Sequence, residues 1–142
     1  MDYDLLAEEF TRYMIQFRFS ELNVCIDEAM RGEHFILAYV YHHDSALPGE
    51  LAAAMQTSTA YVAKILRGLE EKDFIQRTLD AHDRRRILVT LTEKGTAQAE
   101  KDATDIKDGI KWMLKSLGDE DAAAFIRILR KISEKTAGIH LP

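Results

Sequence analysis

The stretch PGELAAAMQTSTAYVAKILRGLEEKDFIQRTLDAHDRRRILVTLTEKG, residues 48–95, decides how the chain is read. Pro48 suits the first turn of a short helix, Pro48–Met55, because its missing N–H would have no intrahelical partner there. Gln56-Thr57-Ser58 breaks that helix, and the Ser58 hydroxyl can accept from the free N–H groups of the turn that follows. A second helix then runs to about Lys72. Val62, Ile65, Leu66 and Leu69 form its inward stripe at helical spacing, with Thr59, Ala60, Tyr61, Ala63, Lys64 and Arg67 on the other side. Asp73 sits at the stop, where glycine is commoner because it tolerates the left-handed conformation. Phe74–Leu79 and Arg86–Leu91 read as two strands, the second alternating Ile87, Val89 and Leu91 against Leu88 and Thr90. The polar tip Asp80-Ala81-His82-Asp83-Arg84-Arg85 joins them.

Short helix, tight turn and capped helix make a helix-turn-helix unit. A helix whose outer face is small, hydroxylated and basic fits a DNA major groove. A hairpin directly behind it, with arginines at its tip, makes a winged helix. Its guanidinium groups are suited to the phosphate backbone or the neighbouring minor groove.

Outward from this unit the chain reads as helix. Leu6, Phe10, Tyr13, Met14 and Phe17 recur with helical spacing, after which periodicity is unclear across Ser20–Asp27. Glu33–His43 is apolar on most faces and is expected to be buried, and Asp44–Leu47 is a short connection. Thr92 is placed to cap a long helix, Glu93–Ser116, lined on one side by Ala99, Ala103, Ile106, Ile110, Met113 and Leu117. Gly118 ends it. A last helix opens with Asp119-Glu120-Asp121 near the positive end of its dipole, carries the stripe Phe125, Ile128, Leu129 and Ile132, and closes at Gly138. The expected fold is mainly α with a small β-hairpin.

The composition agrees. With 142 residues, 46% hydrophobic and 30% charged, the chain has the length of one domain and enough apolar mass for a core. Its longest apolar run, Phe35–Tyr41, falls well short of the roughly 20 residues that span a bilayer, so no membrane partner is expected. The acidic start, Met1-Asp2-Tyr3-Asp4, lacks the basic character of a secretory signal. A single cysteine rules out an internal disulfide framework, and together these suit a reducing cytoplasm. The net charge of −5 argues at first against nucleic acid. Its distribution reverses that: residues 1–57 carry −7, residues 58–95 carry +2 and residues 96–142 carry 0. Local field decides where a polyanion docks, and an acidic remainder weakens attachment to wrong sites. There is no Gly-rich phosphate loop, His-Glu-x-x-His or nucleophile elbow, so an enzyme is not expected.

The residues Phe35–Gly95 resemble the MarR family of bacterial transcription regulators. The wing carries the resemblance: Asp80-Ala81-His82-Asp83-Arg84-Arg85, then Val89-Thr90-Leu91-Thr92-Glu93-Lys94-Gly95. Leu66, Leu69-Glu70-Glu71-Lys72 and Phe74-Ile75 fit the family's recognition helix and its entry to the wing, and Pro48, Glu50, Leu51 and Ala52 fit the preceding helix. Three positions depart from the pattern. Asp73 replaces a glycine, Leu47 replaces a capping threonine, and Gly68 lies inside a helix, where it costs roughly 1 kcal/mol against alanine.

The resemblance implies a single domain over residues 1–142. Its DNA-binding lobe would span about 30–95, and its dimerisation helices about 1–29 and 96–142. It implies a homodimer and a palindromic double-stranded operator, most often repressed. Candidate DNA contacts are Ser58, Thr59, Ala60, Tyr61, Lys64, Arg67, Arg84, Arg85 and Arg86. Tyr61 either reads a base or packs on sugar-phosphate. Asp83 corresponds to the aspartate that braces the wing, with Arg85 as partner, leaving Arg84 and Arg86 freer for DNA, although these roles can exchange. Dimer candidates are Leu6, Phe10, Tyr13, Phe17, Ile110, Leu117, Phe125, Leu129 and Ile132.

The resemblance also implies a small-molecule effector, in a cleft that Phe17, Phe35, Tyr39 and His43 would line. Redox sensing at Cys25 is disfavoured by its apolar and acidic neighbours, which raise a thiol pKa. Metal sensing is disfavoured because the adjacent His42 and His43 point about 100° apart on a helix, and the long helix after the wing carries Asp102, Asp105 and Asp108 but no histidine. No metal or cofactor is expected. The alternatives are a winged helix used for protein–protein contact and a metal- or redox-responsive regulator of the same fold.

Overall fold

The computed structural model describes residues 1–30 and 32–138, with the Cys25, Glu28, Ala29 and Met30 side chains outside the description. The described chain forms α1 (Tyr3–Arg18), α2 (Glu21–Met30), α3 (Gly32–His43), α4 (Pro48–Met55), α5 (Thr59–Glu71), β1 (Ile75–Leu79), β2 (Ile87–Leu91), α6 (Glu93–Leu117) and α7 (Asp119–Thr136). It divides into two compact units, Met1–Ile106 and Lys107–Pro142. No helix among the described residues is long and apolar enough to cross a membrane.

The first unit has the layered core of a winged helix. Ile36, Leu37 and Val40 of α3, Leu51 and Ala52 of α4, and Val62, Ile65, Leu66 and Leu69 of α5 meet Ala46, Ile75, Val89 and Ala99. The inward stripe read on α5 is therefore the core, with Val62, Leu66 and Leu69 each at 0% exposure. Burying an aliphatic side chain of this size contributes about 1.5–3 kcal/mol. Burial of α3 is narrower than its composition predicts, because its last turn, Tyr41–His43, is exposed.

Three junctions position the second helix of the helix-turn-helix. Gln56 ends α4 in the left-handed region (φ 52°), and Ser58 caps α5 by accepting from the Tyr61 N–H at 3.2 Å. Asp73 does adopt the left-handed conformation usually left to glycine (φ 60°), while the Phe74 N–H closes back on the Leu69 carbonyl at 2.9 Å. The start of α4 has no side-chain cap at Leu47, and Pro48 opens the helix without one. At Gly68 a Cβ would stand 3.1 Å from Glu33 Oε1, so an added methyl would require that carboxylate, which reaches across from α3 to Lys72 Nζ at 2.7 Å, to shift by a few tenths of an ångström.

The strands pair antiparallel, from Ile75 opposite Leu91 to Leu79 opposite Ile87. The connection before α4 is more than a linker. Ala46 exchanges two backbone hydrogen bonds with Val89, at 3.0 and 2.8 Å, a single bridge that ties this connection to the wing's base. Behind the wing, Thr92 Oγ1 donates to the Asp73 carbonyl at 2.6 Å and accepts the Gly95 N–H at 3.0 Å. It thus caps α6 and ties that helix to the end of α5. Gly95 is packed so closely that a Cβ would lie 1.8 Å from the Phe74 carbonyl oxygen. No other residue fits without moving the backbone.

One helix was invisible to periodicity. α2 forms where the apolar pattern is irregular, and its start is set by Ser20, whose hydroxyl donates to the Phe17 carbonyl at 2.6 Å and accepts from the Asn23 N–H at 3.2 Å. α2 lies against α1 and α3, so tertiary contact supplies what its sequence pattern lacks. α1 and α7 contain no buried residue. On α6 only Gly95 and Ala99 are buried; Ile106, Ile110 and Met113 are half-buried, and Ala103 and Leu117 are exposed.

Candidate nucleic-acid interface

With its inner stripe locked into the core, α5 turns Ser58, Thr59, Ala60, Tyr61, Lys64 and Arg67 to solvent. Ala63, placed with them by spacing, is half-buried and lies on the flank. The first turn of α5 carries no acid, so the positive end of its dipole is not neutralised against a phosphate. The Ser58 oxygen is occupied as a cap, which leaves its O–H as a donor. Tyr61 stands out of the fold at 46% exposure, with no ring contact among the described residues.

The wing tip is built on two aspartates. The Asp80 side chain accepts the His82 N–H at 2.9 Å, while its own N–H donates to the Arg86 carbonyl at 3.0 Å. Asp83 Oδ1 accepts the Arg85 backbone N–H at 3.0 Å and lies 3.4 Å from Arg85 Nε; its carbonyl accepts the Arg86 N–H at 2.9 Å. The Arg85 side chain nevertheless remains 93% exposed, so the firmer contact of Asp83 is its carboxylate on the Arg85 backbone N–H. Arg84 and Arg86 are exposed and, among the described residues, take part in no ion pair. Arg77, at the wing's base, is different. Its Nε donates to Glu70 Oε2 at 2.8 Å.

The four proposed cleft residues do not converge. Phe35, Tyr39 and His43 stack along one face of α3, with ring centroids 6.1 and 4.1 Å apart, and His43 Nδ1 lies 2.8 Å from the Tyr39 carbonyl. Phe17 instead lines a hollow with Phe10, Met14, Arg18, Asn23 and Asp27 on α1 and α2. Phe35 also lines a separate open hollow of about 700 Å³ with Asp27, Met55, Gln56, Thr57 and Tyr61. The residues of the α4–α5 turn in that hollow carry no signal by spacing; only folding brings them beside α3. Asp102 accepts from Gln98 Nε2 at 2.7 Å and lies 2.7 Å from His34 Nδ1, so it serves to join α6 to α3. The Cys25 side chain, and with it any thiol chemistry, lies outside the described residues.

A capped helix standing proud of a packed core, with a braced, arginine-tipped hairpin beside it, defines a winged helix-turn-helix protein. Residues 31–87 match the MarR family profile. The chain is 26% identical over 140 residues to YwhA of Bacillus subtilis, an uncharacterized HTH-type transcriptional regulator, covering 94% of this chain and all of that one. It is 27% identical to the HTH-type transcriptional regulator BilQ of Clostridium symbiosum, covering 96% and 97%. Among solved structures, YusO of Bacillus subtilis superposes with a TM-score of 0.75 at 24% identity, covering 94% and 99%. Streptococcus pneumoniae FabT, solved in complex with DNA, gives 0.71 at 20% identity, covering 96% and 98%. Over residues 31–87 the chain is similar to the MarR family.

Proposed function

We propose that this protein is a sequence-specific, DNA-binding transcriptional regulator of the MarR family and not an enzyme, working in the cytoplasm as a homodimeric repressor. The observation that carries the reading is the pairing of an exposed, acid-free α5 N-terminus with an aspartate-braced wing whose Arg84 and Arg86 are unpaired among the described residues. Residues 30–95 form the DNA-binding lobe of a single domain, and 1–29 and 96–142 its dimerisation helices. Ser58, Thr59, Ala60, Tyr61, Lys64 and Arg67 enter the major groove, and Arg84, Arg85 and Arg86 approach phosphates or the minor groove.

Dimerisation is supported by apolar residues that a single copy leaves open: Leu6, Phe10, Tyr13 and Phe17 on α1, Leu117 on α6, and Phe125, Leu129 and Ile132 on α7. Exposed apolar faces of this extent mark contact surfaces. Two-fold symmetry then asks for a palindromic operator with half-sites about one DNA turn apart. The hollow lined by Phe35, Met55 and Tyr61 adjoins the α4–α5 turn and is suited to a small-molecule effector that alters how α5 is presented.

The test is fluorescence anisotropy on duplex DNA from immediately upstream of the coding sequence, beside a scrambled duplex, across a salt titration. We expect discrimination on the order of 10³. Arg84→Ala and Arg86→Ala should each flatten the log–log salt dependence by about 0.9. Absence of binding to either duplex at low salt would overturn the reading.

A further inference from the structure

The cations of the central segment are sorted by partner. Lys64 and Arg67 on the outer side of α5, and Arg84 and Arg86 at the wing tip, have no carboxylate among the described residues, whereas Arg77 is held by Glu70. Glu70 lies two and three turns beyond Ala63 and Thr59 on a single flank of α5. Arg77 shares a strand face with the buried Ile75, about 7 Å further out along β1. The pair therefore bridges the flank of the recognition helix to the wing just above the point where the wing leaves the core. Beyond it the hairpin has little packing: Leu79 and Ile87, the last paired residues, are 63% and 43% exposed. A two-stranded hairpin is marginal without support, and a small rotation at its base becomes a large displacement of the arginines at its tip.

We propose that Glu70 is a positioning residue for DNA binding. By holding Arg77 it sets the wing against α5 and withholds one cation from the phosphate backbone, so that contact is concentrated on the helix and the tip. This inference rests on the DNA-binding reading above. Exposed ion pairs contribute little to folding, and the Arg77 and Glu70 side chains keep 30% and 49% of their accessible surface, so neutral variants should fold.

The experiment compares wild type, Glu70→Gln, Arg77→Gln and the charge-swapped Glu70→Arg/Arg77→Glu on the upstream and scrambled duplexes across a salt titration, after thermal melting has established the fold of each. For Glu70→Gln we expect a scrambled-duplex slope steeper by about 0.9, as Arg77 reaches a phosphate. Its discrimination should fall about two- to fivefold, the coupling of an exposed pair read as a ratio. Arg77→Gln should lose the same discrimination with no change of slope, and the swapped pair should regain it. A slope flattened by Arg77→Gln overturns the proposal, because Arg77 would then be a phosphate contact in wild type. Variants indistinguishable from wild type on both duplexes overturn it too. Wild type that binds neither duplex overturns the parent reading instead, which separates the two failures.

Discussion

Helix α5 and the helices α1 and α7 carry the same kind of apolar stripe and meet opposite fates. On α5, Val62, Leu66 and Leu69 are sealed beneath α3, α4 and the wing. On α1, Phe10 keeps 64% of its surface, and on α7 Leu129 keeps half. Helical spacing thus announces an apolar face without saying what covers it. In the lobe the cover is intramolecular, and the core supports an exposed outer surface that is free to meet DNA. On α1 and α7 a single copy leaves the face uncovered, and we propose that a second copy covers it.

The largest effect should come from the lobe. Gly95→Ala forces a methyl group against the Phe74 carbonyl. The backbone cannot yield without breaking the Thr92 hydrogen bonds to Asp73 and Phe74. We expect a loss of about 3 kcal/mol or more in urea denaturation. A loss below about 0.5 kcal/mol, the range of neutral surface changes, would mean that the wing and α6 do not meet as described.

The second effect concerns the uncovered faces. Phe10→Asp and Leu129→Asp should each raise the dimer dissociation constant by tenfold or more, taking about 1.4 kcal/mol per decade as the measure. In sedimentation the variants would dissociate at concentrations where wild type stays dimeric. If wild type itself sediments as a monomer, the contrast drawn between the two regions fails on the side of α1 and α7.

The smallest effect sharpens how α6 is joined to α3. The Tyr41 hydroxyl donates to Glu100 Oε1 at 3.1 Å. That hydrogen bond, reinforced by the carboxylate's charge, raises the Tyr41 pKa above its usual 10.0. The neutral phenol is the form the fold favours. Its contribution is therefore present below the usual tyrosine value and disappears as pH rises through the raised one. The difference in phenolate absorbance between wild type and Tyr41→Phe should titrate above free tyrosine, and Glu100→Gln should bring it down. A Tyr41 midpoint that Glu100→Gln leaves in place would show that the α3–α6 bond is absent in solution.

The helix-turn-helix, the hairpin and the long helix behind it were legible because each has a local cause: Pro48 at a first turn, Ser58 as a cap, Ile87, Val89 and Leu91 two apart in β2, Thr92 before α6. The Asp83 contact at the wing tip has a local cause too, since its carboxylate accepts the N–H two residues on. Helix α2 was not legible, because Val24 and Cys25 interrupt the spacing of Leu22 and Ile26 and its start depends on one hydroxyl, Ser20. The Glu70–Arg77 bridge was hidden because it crosses from a helix flank to a strand. The expected ligand cleft scattered for a related reason: Phe35, Tyr39 and His43 lie on one helix face and stack, whereas Phe17 belongs to another helix.

By itself, then, the sequence determined the order and kind of most elements, the inward face of α5 and the resemblance in the wing, since these follow from interactions a few residues apart. Tertiary structure alone decided the rest. The Ala46–Val89 pairing, the 1.8 Å approach that demands Gly95, and the approach of Asp102 to His34 depend on where separate elements meet. Capping and alternation act over a few residues, but a close approach between distant segments exists only once the core has brought them together.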